Sequence, residues 1–267
     1  MRFMREKKIY CGPDYMEVDI IPRTWEADMV AKRGTRSKKK RESAPKQRNL
    51  NEKNAKRYLR QLGNGNFGDG DWFISLSYKD KFQPETMEQA EKEVTNYIRR
   101  LKTRYKKLGQ ELQYILVNEG GTTSVRFNHH LIINSVSEGL TRDDVEALWS
   151  KKPKGQPRER IGMVNSRYIQ TNENGLEGIL TYLAKDPKGR KRWSSSRNLI
   201  KPMSRPNDSH YGPRKIEKMV MTPDQGMDYF KNQYPKYEIS GLDTKYYEET
   251  GWHVYLKMWR HVGRMNT

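Results

Sequence analysis

The feature that most restricts the fold is the order of patterned segments between residues 71 and 185. Hydrophobic and polar residues alternate over 72–78, and apolar residues recur at helical spacing from Pro84 to about residue 108. The same criteria predict strands over 112–119, 124–134 and 161–169, and helices over 141–149 and 174–185. The order β-α-β-β-α-β-α predicts an α+β fold of the split βαβ (ferredoxin/RRM-like) type. In such a fold an antiparallel sheet has helices on one face and an open face for a ligand.

The segments that flank this region are more basic and less regular. Residues 1–66 predict a short strand that ends at Pro22, followed by a basic arm that becomes helical from Pro45 and stops at Gly63. A solvated charged linker is the alternative for the arm. Alternation over 252–258 predicts one strand in an otherwise loose C-terminal part. We therefore divide the chain into a strand and arm over 1–66, a central domain over 67–192 and an extension over 193–267.

The charge balance restricts the partner. The chain has 52 Lys and Arg against 33 Asp and Glu, a net charge of +19, together with 16 Tyr and 6 Trp. This composition favours a polyanion, most simply nucleic acid, although a basic protein without such a partner has to be considered. Apolar runs are too short for a membrane span and no secretory signal is evident, so we expect a cytoplasmic protein. A single cysteine, Cys11, excludes an intrachain disulfide and a cysteine-based zinc site.

The third predicted strand of the central region carries the candidate metal ligands. Because side chains alternate between the two faces of a strand, His130 shares a polar face with Arg126 and Asn128. His129 lies on the core face and is interpreted as structural. Glu119 ends the neighbouring strand, so its carboxylate is expected beside the His130 imidazole. With the Asn128 amide these groups suit Mg²⁺ or Mn²⁺, and a polar strand with a hydrogen-bonded histidine is the alternative.

The last predicted helix of the central region supplies a candidate nucleophile. Tyr182 lies roughly 110° from the centre of the apolar stripe of this helix, so it is not a central core residue. Lys185 follows at i+3. A phenol beside an ammonium group is a plausible nucleophile, because the cation favours phenolate and can hold a phosphate. A partly buried tyrosine beside a solvated lysine is the alternative.

These elements together resemble the HUH endonucleases, which start rolling-circle replication of plasmids, phages and small circular viral genomes. Residues 72–78 resemble the first motif of that family, an aromatic and Thr-rich strand. Residues 127–133 resemble its His-hydrophobic-His metal strand, with His130 as the second histidine and Asn128 at the place of the first. Tyr182-Leu183-Ala184-Lys185 matches its Tyr-x-x-Lys motif.

The resemblance implies an initiator protein that nicks and rejoins single-stranded DNA at a replication origin. Tyr182 would form a 5′-phosphotyrosine link, Lys185 would position the phosphate, and an Mg or Mn ion on Glu119 and His130 would polarise it. One tyrosine on this helix favours the single-tyrosine class. DNA contacts are expected from Arg126, Ser75, Ser77, Lys188, Arg190, Lys191 and Arg192.

The expected partners follow from the same resemblance. The sequence has no Gly-Lys-Ser/Thr motif of a helicase P-loop, so a helicase and a polymerase of the bacterial host are expected to assist. The alternatives are a noncatalytic nucleic-acid-binding module of the same fold and an inactive descendant that binds DNA.

Overall fold

The computed structural model describes residues 2–33, 45–120, 126–136, 138–152, 155, 157–184 and 193–261, with backbone alone at 30–33 and 45–48. The strands are β1 (Arg2–Cys11), β2 (Tyr15–Thr24), β3 (Trp72–Leu76), β4 (Tyr114–Glu119), β5 (Asn128–Ile133), β6 (Ser150–Lys151), β7 (Glu159–Arg160), β8 (Val164–Tyr168), β9 (Trp193–Ser195), β10 (Met203–Asn207), β11 (Tyr237–Tyr247) and β12 (Gly251–Arg260). The helices are α1 (Trp25–Arg33), α2 (Pro45–Asn66), α3 (Met87–Lys107), α4 (Arg142–Ala147), α5 (Glu177–Leu183), α6 (Pro213–Val220) and α7 (Met227–Gln233), with a 3₁₀ turn at Asp80–Phe82. None of these helices, which cover only the described ranges, is long and apolar enough to cross a membrane.

The chain forms two compact units, a central unit over residues 67–199 and a flanking unit over 1–66 and 200–267. The central unit contains a five-stranded antiparallel sheet in the order β8-β3-β5-β4-β9. Its first four strands in chain order have the helices α3 and α4 between them, in the positions of a split βαβ fold. The predicted fold class is confirmed. Strand β9, which the sequence analysis assigned to the C-terminal extension, adds a fifth strand at the edge.

One face of the central sheet packs on α3 and α4. The predicted apolar stripe of α3 is buried there, with Val94, Tyr97 and Leu101 against Leu131 and other residues of the sheet. Each fully buried side chain of this size contributes about 1.5–3 kcal/mol of apolar burial. Both helices begin at threonine caps, because a threonine side chain can accept a bond from a first-turn N–H group. At the start of α4 Thr141 and Asp144 form a reciprocal capping box.

The opposite face of the central sheet carries α5 and leaves room beside it. The ring of Tyr182 on α5 contacts the ring of His130 on β5, which places the helix on this face. Leu180 and Leu183 of the helix are buried, each 2 % exposed. The residues before and after Phe73 and Ile132 in their strands belong to the core below α3 and α4. Because side chains alternate along a strand, Phe73 and Ile132, which are buried, face the side that carries α5. The side of the sheet opposite α3 and α4 is thus only partly covered.

The flanking unit contains an antiparallel sheet in the order β10-β1-β2-β12-β11. Helices α6 and α7 pack on one face, in a core that includes Val18, Ile216, Phe230 and Leu256. Helix α2 lies on the other face. The sequence analysis treated the two ends of the chain as a separate arm and extension, whereas here they share one sheet. The reason is that β2 is buried on both faces over residues 15–20 and needs a strand on each side.

Two predicted boundaries in this unit are wrong. The strand does not stop at Pro22. Because β12 pairs with β2 only over residues 15–20, the proline has a single neighbouring strand, and a strand tolerates a residue without an N–H donor where one side is unpaired. Helix α2 does not stop at Gly63 but continues to Asn66. Its last turn packs tightly on the turn after β1, since a Cβ atom on Gly65 would lie 2.7 Å from the carbonyl carbon of Cys11. Glycine is needed there for close packing, and it does not end the helix.

Candidate active site

His130 lies at the centre of the partly covered face and uses both ring nitrogens. Its Nε2 atom lies 3.1 Å from Oε2 of Glu119, and its Nδ1 atom lies 3.0 Å from Oγ of Ser75. A neutral imidazole fits these contacts when Nε2–H donates to the carboxylate and the Ser75 hydroxyl donates to Nδ1. The ring also stacks on Phe73, with 5.8 Å between centroids and 15° between planes. Three contacts therefore fix the orientation of this imidazole.

The register of the β4–β5 hairpin explains why Glu119 reaches His130. Val117 is opposite His130 in the ladder, and Glu119 is opposite Asn128, so Glu119, Asn128 and His130 share a face. The Glu119 side chain is 31 % exposed, whereas that of His130 is 10 % exposed. The Asn128 amide nitrogen donates to the carbonyl of Arg126 over 3.4 Å. The structure thus brings the Glu119 and His130 side chains into contact and places Asn128 on the same face, with its amide bonded to the backbone.

His129 lies on the opposite side of the same strand and is fully buried. Its Nδ1–H group donates to Oδ1 of Asn118 over 2.7 Å, and the Tyr78 hydroxyl lies 2.7 Å from its Nε2 atom. Burial, assisted by the neighbouring His130, lowers the pKa of His129 to about 3. The prediction that His129 is structural is confirmed, because both nitrogens are satisfied inside the core.

Tyr182 adds a phenol to the polar side chains on this face. Its ring centroid lies 5.9 Å from that of His130 at an interplanar angle of 81°, and 45 % of its surface is exposed. The two residues line a cleft of about 390 Å³. The other residues lining it are Phe73, Ser75, Asn165, Arg167, Gly178 and Ile179. A phenol and an imidazole therefore meet at one open cleft, and the Glu119 carboxylate, which is not among the lining residues, contacts the imidazole.

The predicted DNA contacts have different local roles. Ser75 lines the cleft and bonds to His130, as described above. Ser77 donates to the carbonyl of Met163 over 3.4 Å and is not among the residues that line the cleft. Arg126 donates to the Tyr78 carbonyl and forms an ion pair of 2.7 Å with Asp80, while 55 % of its side chain remains exposed. Lys185, Lys188, Arg190, Lys191 and Arg192 lie outside the described residues.

The sequence analysis missed Arg167, an exposed residue on the edge strand β8. Its guanidinium carbon lies 4.9 Å from the ring centroid of Phe73, and the ladder places it opposite that residue. Asn165, two residues earlier, is opposite Ser75. The polar alternation of β8 was a usable signal, but identifying these residues as cleft residues required knowledge that β8 pairs with β3.

The central unit also matches a known family. Residues 71–187 match the model of the ORF2 family of replication-associated proteins. This match indicates a replication initiator of the Rep type. It covers less than half of the chain, and it includes β3, β5, β8 and α5, which line the cleft, and β4, which carries Glu119. No curated protein and no solved structure matches the chain.

The separation of the Glu119 and His130 donor atoms, which form a hydrogen bond in this structure, is close to that of two neighbouring ligands of a divalent ion. Two donors at right angles around an ion bound at about 2.1 Å are about 3.0 Å apart, and Nε2 of His130 and Oε2 of Glu119 are 3.1 Å apart. Among the described residues no group of three His, Cys, Asp or Glu side chains could hold a metal ion. A site with few protein ligands is typical of Mg²⁺, which keeps water molecules and substrate phosphates in its coordination shell.

Proposed function

We propose that the central unit nicks and rejoins single-stranded DNA through a covalent bond to Tyr182. The observation that supports this proposal most directly is the contact between the rings of Tyr182 and His130 in one open cleft, with the Glu119 carboxylate 3.1 Å from the His130 imidazole. The match to replication-associated proteins favours the origin of a replicon as the target, and hence rolling-circle replication of a phage or plasmid. The reaction would take place in the cytoplasm of a bacterial host and would need the helicase and polymerase of that host.

In this proposal Glu119 and His130 hold a divalent Mg or Mn ion, with Asn128 as a candidate third ligand. The bound ion would withdraw charge from the scissile phosphate. Ser75 then has a positioning role. When Nε2 of His130 is a ligand, Nδ1 keeps the proton and donates to Oγ of Ser75, so the serine fixes the tautomer and the orientation of the ring.

Tyr182 acts as the nucleophile. Its phenolic oxygen forms a bond to phosphorus as the bond from phosphorus to the 3′-oxygen breaks, which leaves a 5′-phosphotyrosine and a 3′-hydroxyl. The proton lost by the phenol balances the proton that the 3′-oxygen takes up from solvent. Attack by a 3′-hydroxyl on the phosphotyrosine reverses the step and rejoins the strand. Arg167, at the rim of the cleft, carries a positive charge that suits the phosphate.

The polarity of the covalent link gives a direct test. A single-stranded DNA library with randomised sequence is incubated with the full chain and Mn²⁺, and the products are separated under denaturing conditions. DNA labelled at its 3′ end is expected to remain attached to the protein, whereas DNA labelled at its 5′ end is expected to appear as a shorter fragment with a free 3′-hydroxyl. Sequencing the attached DNA identifies the preferred site.

The control variants separate chemistry from binding. Tyr182→Phe is expected to abolish the adduct, and Tyr168→Phe, which alters an exposed tyrosine on β8, is expected to leave it unchanged. Glu119→Gln and His130→Gln are expected to abolish the adduct with DNA binding retained. An adduct that persists in Tyr182→Phe refutes the role of this residue. Binding without any adduct in the unmodified chain would instead support the noncatalytic alternative of the same fold.

A further inference from the structure

A second cleft lies within the flanking unit. It has a volume of about 570 Å³ and is formed by α2 together with β2, β11 and β12, and we call it the α2 cleft. Two acidic side chains line it against five basic ones: Lys53, Arg57, Arg60, Lys245 and Lys257. All of its lining residues belong to the flanking unit, so the α2 cleft is separate from the candidate active site of the central unit.

The two arginines of the α2 cleft are used inside the protein. Arg57 donates to Glu17 over 2.6 Å and to Asp19 over 2.7 and 2.9 Å, and Arg60 lies 3.1 Å from Glu17. Burial opposes ionisation of Glu17, but the two guanidinium groups outweigh it and hold the pKa of Glu17 below its usual value. These arginines therefore balance the buried carboxylates and attach α2 to the sheet.

The lysines provide the remaining positive charge of the α2 cleft. Lys53 is exposed on α2 and forms no ion pair with any residue that the structure describes. Lys257 lines the cleft, is half-buried and lies opposite Gly241 in one ladder and opposite Glu17 in the other. Lys245 pairs with Asp243 over 2.7 Å and also lies 6.0 Å from the ring centroid of Tyr255. When Asp19, which bonds to Arg57, is included, five cationic side chains face three carboxylates, which leaves the α2 cleft with a net charge of five minus three, or +2.

Aromatic rings lie next to these lysines. Tyr247 is 47 % exposed and its ring lies 4.7 Å from that of His253. Alternation along β11 and pairing with β12 place Tyr247, Lys245 and Tyr255 on the same face of the sheet. A groove that combines lysines with an exposed ring is typical of surfaces that bind single strands, where phosphates contact the cations and unpaired bases stack on the rings.

We propose that the α2 cleft binds single-stranded DNA, with phosphates on Lys53 and Lys257 and an unpaired base on Tyr247. A duplex fits less well, because its bases are stacked inside the helix and offer no free face to a tyrosine ring. The choice of DNA as the ligand rests on the proposed function, but the binding site is independent of the nicking chemistry. The flanking unit would then hold the strand that the central unit cleaves.

Equilibrium binding of the full chain tests this proposal. All proteins carry Tyr182→Phe, so that a covalent adduct does not obscure binding, and a fluorescent mixed-sequence 30-mer is titrated by anisotropy at several salt concentrations. Combined Lys53→Gln and Lys257→Gln is expected to reduce the slope of log K against log salt by about 1.4, since two phosphate contacts are lost. Lys218→Gln, an exposed lysine on α6, is the matched control and is expected to leave the slope unchanged.

A second pair of variants tests stacking without changing charge. Tyr247→Ala is expected to weaken binding about tenfold, and Tyr247→Phe is expected to retain it, because the ring provides the contact. Tyr246→Ala is the control, since this exposed neighbour lies on the other face of β11. Lys53 and Tyr247 are both exposed, so we expect Lys53→Gln alone and Tyr247→Ala alone to fold. These two single variants still test the proposal if the change at Lys257 impairs folding.

The outcomes separate this proposal from the nicking proposal. If the lysine variants behave like Lys218→Gln and Tyr247→Ala binds like the parent, the α2 cleft is not a DNA site, whatever the adduct assay shows. If they weaken binding of a duplex and leave that of a single strand unchanged, the proposed ligand is wrong. If the slope and stacking effects occur while the Tyr182 protein forms no adduct, the cleft proposal stands and the nicking proposal fails.

Discussion

The buried ion pairs below α2 predict a large and pH-dependent loss of stability in Arg57→Met. Arg57 bonds to Glu17, which is 1 % exposed, and to Asp19, which is 6 % exposed. Removing one partner of a buried pair costs about 3–5 kcal/mol, because a charge is left without compensation. We expect the lower end, about 3 kcal/mol, since 29 % of the Arg57 side chain is exposed and Arg60 still contacts Glu17.

The pH dependence follows from the lowered pKa of Glu17. A depressed carboxyl pKa stabilises the fold above the pKa of the unfolded chain, and this contribution is lost as the pH falls through the folded-state pKa. Arg57→Met removes part of that contribution. We therefore expect the difference in unfolding free energy between the variant and the parent to be largest near pH 7 and to shrink below about pH 4.

Urea unfolding combined with amide hydrogen exchange of β2 and β12 measures this effect in the flanking unit. The matched control is Arg142→Met, which breaks an i,i+4 pair with Glu146 where 61 % of the arginine side chain is exposed. Exposed pairs of this kind contribute about 0.3–0.5 kcal/mol. An Arg57→Met loss no larger than that of Arg142→Met, or a loss equal at pH 7 and pH 3, would contradict the reasoning.

Three further predictions concern the central unit. Gly162→Ala should destabilise the central unit by about 1–3 kcal/mol or more in urea unfolding, because the added Cβ atom would lie 1.8 Å from the Ser77 carbonyl oxygen. Gly178→Ala should stabilise it by about 0.5–1 kcal/mol in the same assay, since this helical glycine has open space around its Cβ position. Ser75→Ala should leave the unfolding free energy within about 1 kcal/mol of the parent. It should weaken Mn²⁺ binding, measured by calorimetry, about 10–100-fold, because His130 loses the partner of its Nδ1 atom. Unchanged Mn²⁺ affinity would argue against the positioning role of Ser75.

Local patterns were sufficient to predict the order of the first four strands of the central sheet and of the helices α3, α4 and α5. The period-two alternation of β3 and β5 and the helical stripe of α3 fixed which residues face the core. The same alternation separated His130 from His129, and the short hairpin connection brought Glu119 near the exposed imidazole. Each of these inferences depends on residues close together in sequence, and for such residues geometry follows directly from the backbone period.

Long-range pairing was not accessible in this way. Nothing in the sequence of β2 specifies that β12 is its neighbour, and no local pattern reveals that Arg57 is the partner of Glu17. Arg167 was missed for the same reason, because its proximity to Phe73 depends on a pairing between β3 and β8. Strand ends also differed: β5 begins at Asn128, whereas the predicted strand began at residue 124, and residues 121–125 lie outside the described part of the chain.

The flanking sheet combines strands from both ends of the chain, and this arrangement has a consequence during synthesis. Tyr234 donates a hydrogen bond to Glu6 of β1, and these two residues are 228 positions apart. At about 5–20 residues per second a ribosome needs roughly 10–45 s to make the chain between them. For that time the apolar residues of β1 and β2 lack their final neighbours, whereas the central unit emerges as one uninterrupted segment and can fold first. Chaperones that shield nascent strands should therefore associate with the N-terminal hairpin until translation has passed β12.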